Sequence, residues 1–137
     1  MTSVTLARSY FEKARKRLRA LGVLFDDGAY SDVVREAQEL VELALKGALR
    51  FVGVEPPKQH DVGPLVLLHR ERLPSTVAAA ADRLAAISKW LRKEREFAFY
   101  GDEDFIPTDN YTREEAAAAL ADARFVVSLL GAFPAEG

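Results

Sequence analysis

A chain of 137 residues with 49% hydrophobic and 29% charged residues has the size and balance of one soluble globular domain, which argues against a two-domain enzyme and against disorder as the main state. It holds no cysteine, so disulfide scaffolds, thiolate nucleophiles and cysteine-ligated metal clusters are excluded. The net charge of −2 offers nucleic acid no overall attraction, yet it hides an asymmetry: residues 1–20 carry six basic side chains against Glu12, and the chain from Asp102 onward carries eight acidic ones against Arg113 and Arg124.

The apolar residues Val4, Ala7, Phe11, Ala14, Leu18 and Leu21 recur every three or four positions and predict a basic first helix that ends at Gly22. Arg8, Glu12 and Lys13 stand where a signal peptide needs an apolar stretch, and no run approaches the roughly 18 residues of a membrane span, so a cytoplasmic location without membrane contact is expected. After a turn at Asp26, Asp27 and Gly28, Ser31 is expected to cap a second helix with the stripe Val34, Ala37, Val41, Ala44, Ala48 and Phe51, stopped by Gly53. Val33, Leu40, Leu43, Leu45 and Leu49 widen that stripe, which predicts a central helix touching several neighbours.

Pro56 and Pro57 break the pattern, and Asp61 is placed to cap a short helix from Val62 to His69 that tolerates Pro64 in its first turn. Pro74 and Ser75 open a long helix of about seven turns, with Val77, Ala81, Leu84, Ile87, Leu91 and Ala98 on one side, running close to Tyr100. The polar, acidic residues 101–111 read as a loop. Thr112 and Glu115 fit the capping box of a last helix with Ala116, Ala119, Ala123, Val127 and Leu130 inward, closed by Gly131 and Pro134. No strand and no repeat is required. The fold class is all-α: a single-domain, antiparallel up-and-down bundle of four long helices plus one short helix, with neighbours in sequence packed together.

A metal site in such a bundle needs Glu-x-x-His pairs, but Pro57 stands three residues before His60 and Val66 three before His69, so no metal and no cofactor is expected. Phosphate loops and a hydrolase elbow are absent as well. Arg95 continues the stripe Leu84, Ile87 and Leu91, a charge on an apolar face. Such a guanidinium is either ion-paired, with Asp102, Glu103 or Asp104 as candidates, or aimed at a phosphate, or placed where the helix leaves the core. Tyr100 lies five residues on and can share a pocket with it. His60 reads as a loop residue that pins its connection by hydrogen bonds, and His69 as solvated. Trp90 and Phe97 lie off the main stripe and form either a face for a partner helix or packing against the first or the short helix.

Four segments carry a resemblance: AQELVELALKGAL from Ala37 to Leu49, PPKQHDV from Pro56 to Val62, REFAFYGDE from Arg95 to Glu103, and NYTREEAAAALADA from Asn110 to Ala123. In this order they resemble the HEPN domain family, over roughly residues 28–131. The resemblance implies an all-α bundle, commonly a homodimer, often encoded beside a minimal nucleotidyltransferase in a toxin–antitoxin-type pair. Several branches of the family are metal-independent ribonucleases that use an arginine followed a few residues later by a histidine, with two copies meeting across the dimer. Arg95 matches the arginine, Tyr100 occupies the histidine place, and no histidine follows His69. Tyrosine, with an ordinary pKa near 10, is a poor proton acceptor for RNA cleavage. The expected function is therefore a dimer that binds nucleotide, RNA or a nucleotidyltransferase partner, with Arg95, Arg92, Lys93, Tyr100 and His60 as binding residues. The alternatives are a ribonuclease in which Arg95 and Tyr100 are catalytic, and a purely structural interaction module.

Overall fold

The computed structural model describes residues 3–58 and 61–134; His60 lies outside them, as does the side chain of Phe97. In chain order the helices are α1 (Ser3–Asp26), α2 (Tyr30–Phe51), α3 (Gly63–Leu68), α4 (Ser75–Ala79), α5 (Ala81–Phe99), α6 (Pro107–Asn110) and α7 (Arg113–Ser128), with 3-10 turns at Arg70–Arg72 and Leu129–Ala132. The protein is an all-α bundle, as the periodicity predicts. Among the described residues no helix is long and apolar enough to cross a membrane.

The breadth of the apolar arc on α2 decides the architecture. Val33, Val34, Ala37, Leu40, Val41, Ala44, Leu45, Ala48 and Leu49 are all buried, too many for one narrow stripe, and α2 packs on α1, α5 and α7 together. The most extensive packing is on α1. A Cβ at Gly47 would stand 2.8 Å from a ring carbon of Phe11, so only glycine lets these two helices pack this tightly. The last helix departs from the expected order: α7 lies mainly on α2 and α1, with little contact to α5, because α2 has an apolar face left for it.

Several ends differ from expectation. α1 does not stop at Gly22 but continues to Asp26, since Leu24 and Phe25 still pack against the core and outweigh a glycine cost of about 1 kcal/mol. It ends in a Schellman turn at Gly28, where the Gly28 N–H donates to Phe25 O and the Ala29 N–H to Leu24 O. That turn feeds α2 directly, so Ala29 is the N-cap, and Ser31 is a buried residue within the helix instead of its cap. At the other end Gly53 is the stop, with positive φ, as its sequence position predicts.

The expected long fourth helix is two helices that reset at Ala80, whose N–H donates to Val77 O across a single turn. The two parts dock on different surfaces: α4 on the two 3-10 turns, α5 on α2 and α3. Asp61 does brace the short helix, although α3 begins only at Gly63 after Val62: its Oδ1 accepts from the Gly63 N–H at 3.0 Å and from the Ser88 hydroxyl at 2.8 Å. The loop 101–111 contains the single turn α6. The capping box of α7 is present in both directions, Glu115 N–H to Thr112 Oγ1 and Thr112 N–H to Glu115 Oε1, each 3.1 Å. Along α7, Val126 is buried where Val127 was expected, and Val127 is half-buried. Trp90 is partly buried against the core, and its indole Nε1 donates to Asp122 Oδ2 on α7 at 2.9 Å, a helix that neither expectation for Trp90 named.

Candidate functional site

The carboxyl-terminal half of α5 emerges from the core beside α2. Leu91 and Ala98 are buried, while Arg95 between them turns its guanidinium outward, 44% exposed, and meets Glu39 of α2 with Nη2 to Oε1 at 3.0 Å. The expected partners in the acidic loop are not used. Gly101 turns that loop away, with φ +65° and a backbone so close to the Phe105 carbonyl oxygen that a Cβ would overlap it. The loop then closes on itself: the Asp102 N–H donates to Phe105 O at 2.9 Å, and the Asp104 N–H to Asp102 Oδ1 at 2.9 Å.

Arg95 is one rung of a ladder of opposite charges between α2 and α5. One turn earlier on α5, Arg92 pairs with Glu42 at 3.3 Å, and Glu42 also holds Lys46 at 3.4 Å. In the other direction, Arg35 reaches Glu39 at 3.8 Å and Glu36 at 3.7 Å. Its guanidinium lies over the Phe99 ring, 4.2 Å from the centroid, a cation–π geometry. Phe99 and Tyr100 in turn meet edge to face at 4.6 Å, both exposed.

Arg35, Arg95, Phe99 and Tyr100 thus line one open pocket of about 330 Å³. Of the residues singled out in the sequence, Arg95 and Tyr100 are brought together here, Arg92 stands one turn away against Glu42, and Lys93 is exposed outside the pocket wall. Sequence reasoning missed Arg35, Glu39 and Phe99. Nothing local in the sequence marks Arg35, since it meets Arg95 only through the packing of α2 on α5. Phe99 carried a faint signal, an aromatic next to Tyr100 at a helix end. Chemically, two guanidiniums share one carboxylate beside two open rings, which is equipment for an oxyanion attached to a flat body.

Tyr111, buried and outside this pocket, braces α5 from the segment after α6. Its hydroxyl donates to the backbone oxygen and to the carboxylate of Glu94, each at 3.3 Å, tying the segment after α6 to α5 next to Arg95. Burial first, and then the Glu94 carboxylate, push the Tyr111 hydroxyl well above the usual tyrosine range.

The family comparison agrees with the helical fold. The HEPN domain model matches residues 7–132, nearly the whole length and further toward the amino terminus than the sequence segments suggested, and the chain belongs to the HEPN domain family. No curated protein and no solved structure matches it.

Proposed function

We propose that this HEPN domain dimerises and binds a nucleotide or RNA in the pocket at the end of α5, by itself or together with a nucleotidyltransferase partner. The observation that carries this reading is the grouping of Arg35 and Arg95 with the open rings of Phe99 and Tyr100 around one pocket. A phosphate oxygen pair takes the place of Glu39 on Arg95, because it offers two oxygens to parallel N–H groups where Glu39 meets Nη2 through one. The base stacks on Tyr100, whose ring is 73% exposed. Arg92 and Lys93 add attraction along the approach, and His60 joins the proposed binding set from the sequence alone. A two-fold axis near this end brings two copies of Arg95 to one cleft and doubles the phosphate field. Binding is favoured over scission, since Tyr100 stands where a proton acceptor titrating near neutral pH is needed.

The test is light scattering combined with titration of labelled single-stranded RNA and of ATP, on wild type and Arg95→Ala side by side. Both proteins are expected to be dimers, and Arg95→Ala to lose about tenfold or more in affinity, equivalent to about 1.4 kcal/mol. Full affinity in Arg95→Ala overturns the site. A dimer with no binding in either protein overturns the nucleotide and RNA reading and leaves a protein partner. Cleavage of the RNA by wild type alone would make Arg95 catalytic, and its loss in Tyr100→Phe would add Tyr100.

A further inference from the structure

At the opposite end of α2 lies a second pocket, which the reading above does not use. Phe51, its last residue, is 16 positions from Arg35, about 24 Å along the helix axis at 1.5 Å per residue. Here Phe11 of α1, Phe51 and Phe133 form a triangle of rings with centroids 5.0 to 6.2 Å apart. With Leu130 they wall a cleft of about 450 Å³, within the size range of small-molecule sites.

Arg8 reaches into this cleft one turn before Phe11. The first helix is strongly basic, and Lys13, Arg15, Lys16, Arg17 and Arg19 are all exposed, whereas Arg8 is half-buried. Both Nε and Nη2 of Arg8 are buried without a hydrogen-bond partner. These two nitrogens form the side-on edge of the guanidinium, the edge whose parallel N–H groups grip the two oxygens of a carboxylate. A buried donor pair left open is unfavourable; solvent reaches neither nitrogen in the free protein, so the Arg8 side chain has to turn this edge into the cleft, where an acceptor relieves the cost.

The surroundings restrict what that acceptor is. Three phenylalanine rings and Leu130 favour an apolar body over a sugar or a free inorganic ion. Arg15 at the rim adds attraction for an anion, whereas Glu12, also on the rim and paired with Lys16 at 3.1 Å, disfavours a second negative charge. We propose that the cleft between α1, the end of α2 and the Leu129–Ala132 turn binds a small monocarboxylate with an aromatic or compact aliphatic body, its oxygens on the Nε–Nη2 edge of Arg8 and its body against Phe11, Phe51 and Phe133. The site is independent of the pocket at Arg95.

Calorimetric titration of the full chain with 2-naphthoate, 2-naphthamide and inorganic phosphate tests this. Naphthoate is expected to bind once per chain, and the neutral amide about tenfold more weakly because it lacks the charge that Arg8 grips. Phosphate, without an apolar body, is expected not to bind in the same concentration range. Arg8→Gln should lose about tenfold for naphthoate, and Arg95→Ala nothing. Should Arg8→Gln fail to fold, amide chemical shifts of the wild-type protein decide: naphthoate is expected to move Leu130, Gly131 and Phe133 and to leave Arg95 to Gly101 in place. Equal affinity for naphthoate and naphthamide, no saturation at millimolar naphthoate, or shifts confined to the Arg95 end each overturn the proposal.

Discussion

Tyr111 is 4% exposed, and its hydroxyl spends its one proton on Glu94. Burial, and after it the Glu94 and Glu115 carboxylates, disfavour the phenolate, so the folded protein holds this proton at a pH where the unfolded chain releases it. Above about pH 10 the unfolded state therefore binds fewer protons than the folded one, and stability falls as pH rises. The contribution is complete below that pH and is lost progressively as pH climbs from there toward the raised folded value. Tyr111→Phe is expected to cost about 1 kcal/mol at pH 8, through the lost hydrogen bond to Glu94. Having no phenol to ionise, the variant escapes the alkaline loss. Urea unfolding of both proteins at pH 8 and near pH 11 is expected to show the gap closing and then reversing; a constant gap would mean that Tyr111 ionises alike in both states.

Between elements, the ladder that joins α2 to α5 is made of pairs at least partly open to water, worth little each to stability but decisive for which charges are free. Glu39 is the pivot, since it holds Arg95 at 3.0 Å and Arg35 at 3.8 Å. Glu39→Gln is expected to change stability by no more than about 0.5 kcal/mol, as an exposed pair should. With the competing carboxylate gone, affinity for single-stranded RNA and for ATP is expected to rise by about threefold to tenfold in the same titration. A fall in affinity would show that Glu39 positions Arg95 for its ligand instead of competing for it. This ladder also shows where reading the sequence stops. The capping box at Thr112 and Glu115, the stop at Gly53 and the turn at Gly28 were legible because their chemistry closes within a few residues. The break at Ala80 was not: a run of alanines carries no record of the two surfaces on which α4 and α5 dock. Nor was the partner of Arg95: the sequence pointed to the nearby acidic loop, whereas the turn at Gly101 and the packing of α2 on α5 bring Glu39 to it instead. The neighbourhood of Arg95 and Tyr100 followed from helical spacing, whereas the contribution of Arg35 required the tertiary fold.

For the molecule as a whole, a net charge of −2 means that attraction for RNA has to be local. Asp102, Glu103 and Asp104 are exposed on the loop just after Tyr100 and oppose any broad attraction for RNA at this end of α5. Affinity should then depend on the few phosphates neutralised at the pocket, and its salt dependence counts them. Each phosphate neutralised on a single strand contributes a slope of about −0.7 in log K against log salt. With Arg35 and Arg95 each neutralising its own phosphate of the strand, one protomer gives a slope of about −1.4, and two protomers facing one cleft about −2.8. A slope near −2.8 that falls to about −1.4 in Arg95→Ala is the expected result for a shared, symmetric cleft, because the substitution removes one contact from each copy. A wild-type slope near −1.4 in a protein that light scattering finds dimeric would place the two pockets apart, each binding its own strand. In that case the two-fold axis lies away from the end of α5, and the doubling of the phosphate field plays no part in recognition.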